Sequence, residues 1–72
     1  MRYAIVIVKG DTSYGAYVPD LPGCVAVGVS EEEVRQLIQD AIAFHIEGML
    51  ESGEVIPTPH SQVDYVQVKI AA

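Results

Sequence analysis

The chain has 72 residues, enough for one small domain, and a formal net charge of −6 from ten acids and four bases. Nucleic-acid binding requires clustered Lys and Arg to neutralise phosphates, so four isolated bases argue against direct binding to DNA or RNA. Half of the residues are hydrophobic, which predicts that some apolar surface of so small a domain lies between subunits. We therefore expect a homo-oligomer, a dimer or higher.

The sequence carries no signal for a membrane, a metal or a cofactor. Its apolar N-terminal run is interrupted at Lys9 and is too short to cross a bilayer. Cys24 is the single cysteine, and the sequence contains no Cys-x-x-Cys or His/Cys cluster with metal-ligand spacing. We expect a cytoplasmic protein without membrane association.

Three short strands are predicted in the first part of the chain. Residues 3–8 are β-branched and aromatic with two apolar faces, which predicts a central strand covered on both sides. A turn at residues 9–13 leads into a second strand at 14–18, which forms a hairpin with the first. Small and β-branched residues alternate over 24–29, and this pattern predicts a third strand.

A proline-bearing loop separates the second and third predicted strands. Pro19 and Pro22 fix φ, and Gly23 permits positive φ, so we expect a stiff loop with Leu21 at its tip. An Asp in such a loop most often accepts backbone N–H groups of the turn, and we expect this of Asp20.

One helix is predicted from about residue 31 to about residue 52. Ser30 and Glu33 form a capping box at its start, and Gly53 is suited to the position just after its end. Pro57 and Pro59 prevent the helix from resuming. Apolar positions with helical spacing define its buried face: Val34, Leu37, Ile38, Ala41, Ile42, His45 and Met49.

A last strand is predicted at residues 63–70, where apolar and other side chains alternate. The predicted fold is therefore α+β, a single domain over residues 1–72 with the order β-β-β-α-β. A small sheet packs on one helix. Because one helix covers only one face of a sheet, we expect self-association through the uncovered face or a sheet edge.

The side chains that could support catalysis have simpler interpretations. His45 lies among apolar helix positions, which favours a partly buried or interface histidine over a catalytic base. His60 fits a solvated loop residue. Cys24 fits a small buried hydrophobe, and a Cys24-dependent hydrolase would need a histidine nearby in the fold. Because the sequence contains no phosphate-binding glycine motif or nucleophile elbow, we predict a binding protein and not an enzyme.

Three stretches of the sequence resemble the HicB-like antitoxin family. Residues 14–24 have a tyrosine-bearing strand followed by Pro-Asp-Leu-Pro-Gly-Cys. Residues 28–32, Gly-Val-Ser-Glu-Glu, match the family's approach to its helix, and residues 53–59 match its Gly-x-x-Ile-Pro-x-Pro. The resemblance covers essentially the whole chain, and the two proline motifs together are quite specific.

The resemblance implies a partial RNase H-like β-β-β-α-β core, without nuclease activity, since residues 2–9 contain no acid to bind a metal. It implies that the chain neutralises HicA, a small basic toxin that cleaves mRNA and has a double-stranded-RNA-binding fold. Members commonly form dimers or higher oligomers. Many carry a C-terminal DNA-binding segment, and we expect this chain to lack it because only Ala71 and Ala72 follow Ile70.

The leading hypothesis is a protein-binding antitoxin domain that covers the toxin's RNA-binding face. The alternative is a stand-alone oligomeric domain that binds another protein or a small ligand, without an active toxin partner. The candidate site is a loop that is either partner-binding or structural, formed by Tyr17, Pro19, Asp20, Leu21, Pro22, Gly23 and Cys24.

Overall fold

Two consecutive antiparallel hairpins form the sheet in the computed structural model of the chain, which describes residues 1–71. The strands are β1 (Val6–Lys9), β2 (Tyr14–Tyr17) and β3 (Val25–Gly28), and the helix α1 spans Glu31–Glu51. The α+β class and the order β-β-β-α are thereby confirmed.

The prediction that β1 is central and covered on both sides is wrong. The strand order is β1-β2-β3, so β2 is central and β1 lies at an edge. Short connections place β2 beside both of its neighbours in sequence, which leaves one edge of β1 without a partner. The predicted hairpin is confirmed, with Ile7 opposite Ala16 and Ala16 opposite Ala26.

The helix packs on one face of the sheet, and the core lies between them. Val34 and Ile38 of α1 are buried against this face, with Tyr3, Ile5 and Ile7 packed around them. A Cβ atom on Gly28 would lie 2.9 Å from the backbone nitrogen of Val34, so the first turn of α1 rests directly on β3. The buried hydrophobic residues are Ala16, Val18, Leu21, Cys24, Val34 and Ile38.

Both predicted ends of the helix are confirmed. The backbone N–H of Glu33 donates to Ser30 Oγ at 3.0 Å. The Glu33 carboxylate reaches back one residue beyond the cap and accepts from the N–H of Val29 at 3.1 Å. At the other end Gly53 has φ of 71°, its N–H donates to Leu50 O, and the next N–H donates to Met49 O. This pair of bonds is a Schellman motif.

The predicted strand at residues 63–70 is not formed. Within the described residues, 63–71 have no strand structure, and no backbone hydrogen bond joins them to the sheet. Tyr65, Val66 and Ile70 are between 83% and 90% exposed. The alternating pattern reflects a local preference, whereas a strand also needs an adjacent edge to satisfy its backbone groups.

Candidate functional site

The loop between β2 and β3 consists of two linked tight turns, and we call residues 18–24 the proline loop. The N–H of Leu21 donates to Val18 O at 3.1 Å, and the N–H of Cys24 donates to Leu21 O at 3.1 Å. The N–H of Val18 donates to Cys24 O at 3.2 Å and closes the base of the loop. Each proline occupies the second position of its turn, where its fixed φ is favourable.

Gly23 has φ of 84°, which confirms the predicted positive φ. The third position of a turn that follows proline in this way requires that conformation, and glycine adopts it without steric cost.

Leu21, which we expected at the tip of the loop, does not project from it. Its side chain is completely buried and belongs to the core with Val18 and Cys24. Pro19, Pro22 and Gly23 are the exposed residues of the loop. The two turns therefore fold the chain so that Leu21 enters the core while Pro19 and Pro22 stay exposed.

Asp20 joins the proline loop to a segment near the end of the chain, residues 56–61, which we call the anchor segment. Its Oδ2 accepts the backbone N–H groups of His60 and Ser61, both at 2.9 Å. Its Oδ1 accepts the Ser61 hydroxyl at 2.6 Å and lies 3.2 Å from His60 Nε2. Asp20 accepts backbone N–H groups as predicted, but the prediction that the donors belong to its own turn is wrong, because they lie 40 and 41 residues away in sequence.

These donors stabilise the ionised carboxylate. Hydrogen bonds from the Ser61 hydroxyl and the Ser61 N–H, followed by those from His60, lower the pKa of Asp20 from 3.8 to about 2, against the opposing effect of burial. A second hydrogen bond holds the anchor segment against the residues that precede β1: the Tyr3 hydroxyl donates to Pro57 O at 2.6 Å. Irregular backbone is thus held in place by polar contacts.

The remaining titratable candidates are not arranged for nucleophilic catalysis. Burial raises the pKa of the Cys24 thiol, which keeps it protonated. In residues 1–71 no histidine hydrogen-bonds to that thiol. His45 is half-buried, as predicted, beside Pro22 and Met49. The side chain of His60 is 77% exposed, although its backbone N–H is held by Asp20.

The exposed positions of α1 are rich in acids, although the apolar side chains of Phe44 and Leu50 are exposed there as well. The helix contains six acids and one base, and all seven are exposed. The base, Arg35, pairs with Glu31 at 3.3 Å. We call this surface the acidic helix face: Glu31, Glu32, Glu33, Asp40, Glu47 and Glu51.

The opposite surface of the sheet is apolar and uncovered. Tyr17, Val25 and Val27 are exposed there, and so is Val8 on β1. The expectation that one helix leaves a sheet face open is thereby confirmed. Tyr17 belongs to this open face, so the candidate site residues do not form one continuous surface.

Two further properties concern the described part of the chain, residues 1–71. No helix there is long and apolar enough to cross a bilayer. No group of three or more His, Cys, Asp or Glu side chains converges there as metal ligands would.

Similarity to known proteins agrees with these features. The family of HicB-like antitoxins of bacterial toxin–antitoxin systems matches residues 3–70. A 14.9 kDa protein of Haemophilus phage HP1 is 41% identical over 66 residues, which is 92% of this chain and 50% of the phage protein. A UPF0150 protein of Archaeoglobus fulgidus is 37% identical over 59 residues, covering 78% of this chain and 86% of that protein.

Antitoxin HicB 2 of Photorhabdus laumondii is 29% identical over 62 residues, covering 86% of this chain and 45% of that protein. No solved structure matches the chain significantly. The fold and its surfaces define a small α+β domain with one acidic and one apolar face. The chain belongs to the HicB-like antitoxin family, and it spans half the length of the phage relative.

Proposed function

We propose that this chain binds a small basic HicA-type toxin that cleaves mRNA, and neutralises it by covering the toxin's RNA-binding face. Membership of the antitoxin family supports the general role. The observation that carries the finer proposal is the acidic helix face, on which six exposed acids are accompanied by one base.

The physical argument is one of complementary charge. A protein that binds RNA neutralises phosphates with Lys and Arg, so its RNA-binding surface is basic. An acidic surface attracts that same region, speeds the encounter and competes with RNA for it. The carboxylates of α1 are spread along one rigid helix, which can lie across such a surface as a strip of negative charge.

The proline loop supports this role in two ways. It is structural first, because it buries Leu21 and anchors residues 56–61 through Asp20. Its exposed rim, Pro19, Pro22 and Gly23, lies on a backbone fixed by three hydrogen bonds. A partner that docks there would order little additional chain, which reduces the entropic cost of binding.

The same proposal includes cytoplasmic action, where mRNA is translated, and assembly into homo-oligomers. Binding of DNA or RNA by this chain itself is not part of it. The partial RNase H-like architecture implied by the resemblance likewise stays a prediction.

The test is whether this chain binds the protein encoded by the gene next to its own, as a toxin gene would be. Pull-down measures binding, and co-expression of the two proteins measures whether growth is rescued. We expect Glu47→Lys to slow association roughly three- to tenfold at low salt, because it reverses a charge on the acidic helix face. Asp11→Lys makes the same change of net charge in the β1–β2 connection and should alter the rate less than about twofold.

Equal effects of Glu47→Lys and Asp11→Lys would show that only net charge matters and would remove the helix from the interface. If the neighbouring product neither binds nor resembles a small basic toxin, the antitoxin role fails. A stand-alone oligomeric domain that binds another protein or a small ligand would then be the better description.

A further inference from the structure

An open groove lies where the C-terminal half of α1 meets the proline loop and the anchor segment, and we call it the helix-end groove. Its volume is about 560 Å³, within the range of clefts that bind ligands, roughly 300–1,000 Å³. Six of the residues that line it are Pro22, Phe44, Gly48, Met49, Glu54 and Pro57. Segments that are separate in sequence thus form one concave surface.

Hydrogen bonds within the chain hold each wall of the helix-end groove. Three backbone hydrogen bonds fix the proline loop, which carries Pro22. The Tyr3 hydroxyl donates to Pro57 O at 2.6 Å. The N–H of Glu54 donates to Met49 O at 2.9 Å and holds Glu54 just beyond the end of α1. Because the walls are already fixed, a side chain that enters the groove orders little additional chain.

The helix side of the groove is apolar and has room for an incoming side chain. Phe44 is 79% exposed, so most of its ring is accessible. Gly48 lies one turn further along the same side of α1, and a Cβ atom added there would meet nothing within 4 Å. A side chain placed over Gly48 would therefore contact the Phe44 ring and the apolar surfaces of Pro22 and Met49.

The charges around the helix-end groove are negative. Glu54 lines it, and Glu47 and Glu51 lie three positions after Phe44 and Gly48 on α1. Among residues 1–71, none that lines the groove is a lysine or an arginine. The single base of α1 lies near the other end of the helix, where it pairs with an acid. The groove therefore favours a cation.

An arginine side chain combines the properties that the groove matches. Its stem is apolar, and its planar guanidinium stacks on aromatic rings and hydrogen-bonds to carboxylates. The ammonium of lysine is compact and more strongly hydrated, so it is less suited to an apolar floor. A purely apolar side chain would leave the carboxylates without a counter-charge.

We propose that the helix-end groove takes an arginine side chain of the basic partner, with the stem over Gly48 and the guanidinium beside Phe44 and Glu54. This proposal rests on the proposed function for the partner's basic character, and it adds the chemical group that the partner inserts.

The first test needs no partner protein. A capped Gly-Arg-Gly peptide at millimolar concentration should shift the backbone amide NMR signals of Gly48, Met49 and Glu54. The same peptide with citrulline, which keeps the shape and lacks the charge, should shift them much less, and lysine and leucine peptides should too. Unchanged signals, equal shifts with citrulline or leucine, or shifts centred on residues 31–33 would overturn the proposal.

Two variants separate the groove from the rest of α1. Gly48→Leu fills the groove and should abolish the arginine-specific shifts, whereas Ala43→Leu introduces the same side chain at an exposed helix position outside the groove and should preserve them. Far-UV circular dichroism checks that both variants stay folded. Retention of the shifts in Gly48→Leu would show that arginine binds elsewhere.

The second test uses the protein encoded by the neighbouring gene. Gly48→Leu should raise its dissociation constant at least about tenfold, and Ala43→Leu should raise it less than about threefold. Equal effects of the two variants would overturn the groove proposal while the antitoxin role stands. If the unaltered chain does not bind that protein, the proposed function fails, whereas the peptide titration still decides whether the groove takes arginine.

Discussion

The proline loop and the tail, residues 62–71, differ in how well the sequence pattern predicts an ordered structure. The loop has no periodicity and two prolines, yet it contains the fully buried Leu21 and the carboxylate with the most hydrogen bonds, Asp20. The tail has a clear alternation and lies exposed without partners. Periodicity indicates which secondary structure a segment favours. Whether that structure forms depends on hydrogen-bonding and packing partners from other parts of the molecule.

The largest expected effect contrasts one buried side chain of the loop with one exposed side chain of the tail. Leu21→Ala should lower the free energy of unfolding by about 2–5 kcal/mol, because it opens a cavity in the core. A domain of this length has roughly 4–10 kcal/mol in total. Val66→Ala should change the value by less than about 0.5 kcal/mol in dilute, monomeric protein. Urea denaturation followed by circular dichroism measures both.

Equal losses for Leu21→Ala and Val66→Ala in dilute protein would contradict the contrast, since they would mean that the tail is packed in the monomer.

The next effect concerns the carboxylate that holds the anchor segment. Because the pKa of Asp20 is lowered from 3.8 to about 2 in the folded state, its contribution to stability is fully present above about pH 4. That contribution is lost as the pH falls through about 2. Asp20→Asn should lower stability at neutral pH and flatten the acid dependence in this window.

Limited proteolysis gives a local readout of the same change. Cleavage near residues 56–61 should become faster in Asp20→Asn at pH 7, while cleavage in the already exposed tail should not change. An unaltered rate at residues 56–61 would show that the Tyr3–Pro57 hydrogen bond alone holds the anchor segment.

The smallest effect compares the same substitution at two glycines. Gly23→Ala should cost about 1–2 kcal/mol, because an alanine is strained at φ of 84°. Gly48→Ala lies in α1, where an added Cβ meets nothing within 4 Å. It should stabilise the protein by about 0.8–1 kcal/mol through helix propensity. Thermal melts should show shifts of opposite sign, and a neutral Gly23→Ala would remove the argument for a conformational requirement.

Features that depend on neighbouring residues in sequence could be predicted. The cap at Ser30, the termination at Gly53, the positive φ of Gly23 and the first hairpin all rest on groups within a few residues of one another. The close approach of Gly28 to the backbone of Val34 could not be predicted from a local motif, although a glycine just before a helix is compatible with such an approach.

Features that depend on distant partners could not be predicted. The Asp20–Ser61 contact joins residues 41 positions apart, and nothing in either segment specifies the other. The burial of Leu21 requires two successive turns to direct its side chain into the core. The position of that core relative to the loop depends on the sheet and the helix, so the loop sequence alone does not specify it. β1 lies at an edge because residues 62–71 do not pair with it as a further strand.

The long reach of the Asp20 contacts also sets an order of events during synthesis. The sheet and the helix are complete in sequence by Glu51, but the donors for Asp20 are His60 and Ser61. At about 5–20 residues per second, the ribosome adds the intervening forty residues in roughly 2–8 seconds. During that interval the Asp20 carboxylate lacks the donors of His60 and Ser61, so we expect the anchor segment to close after the sheet and the helix.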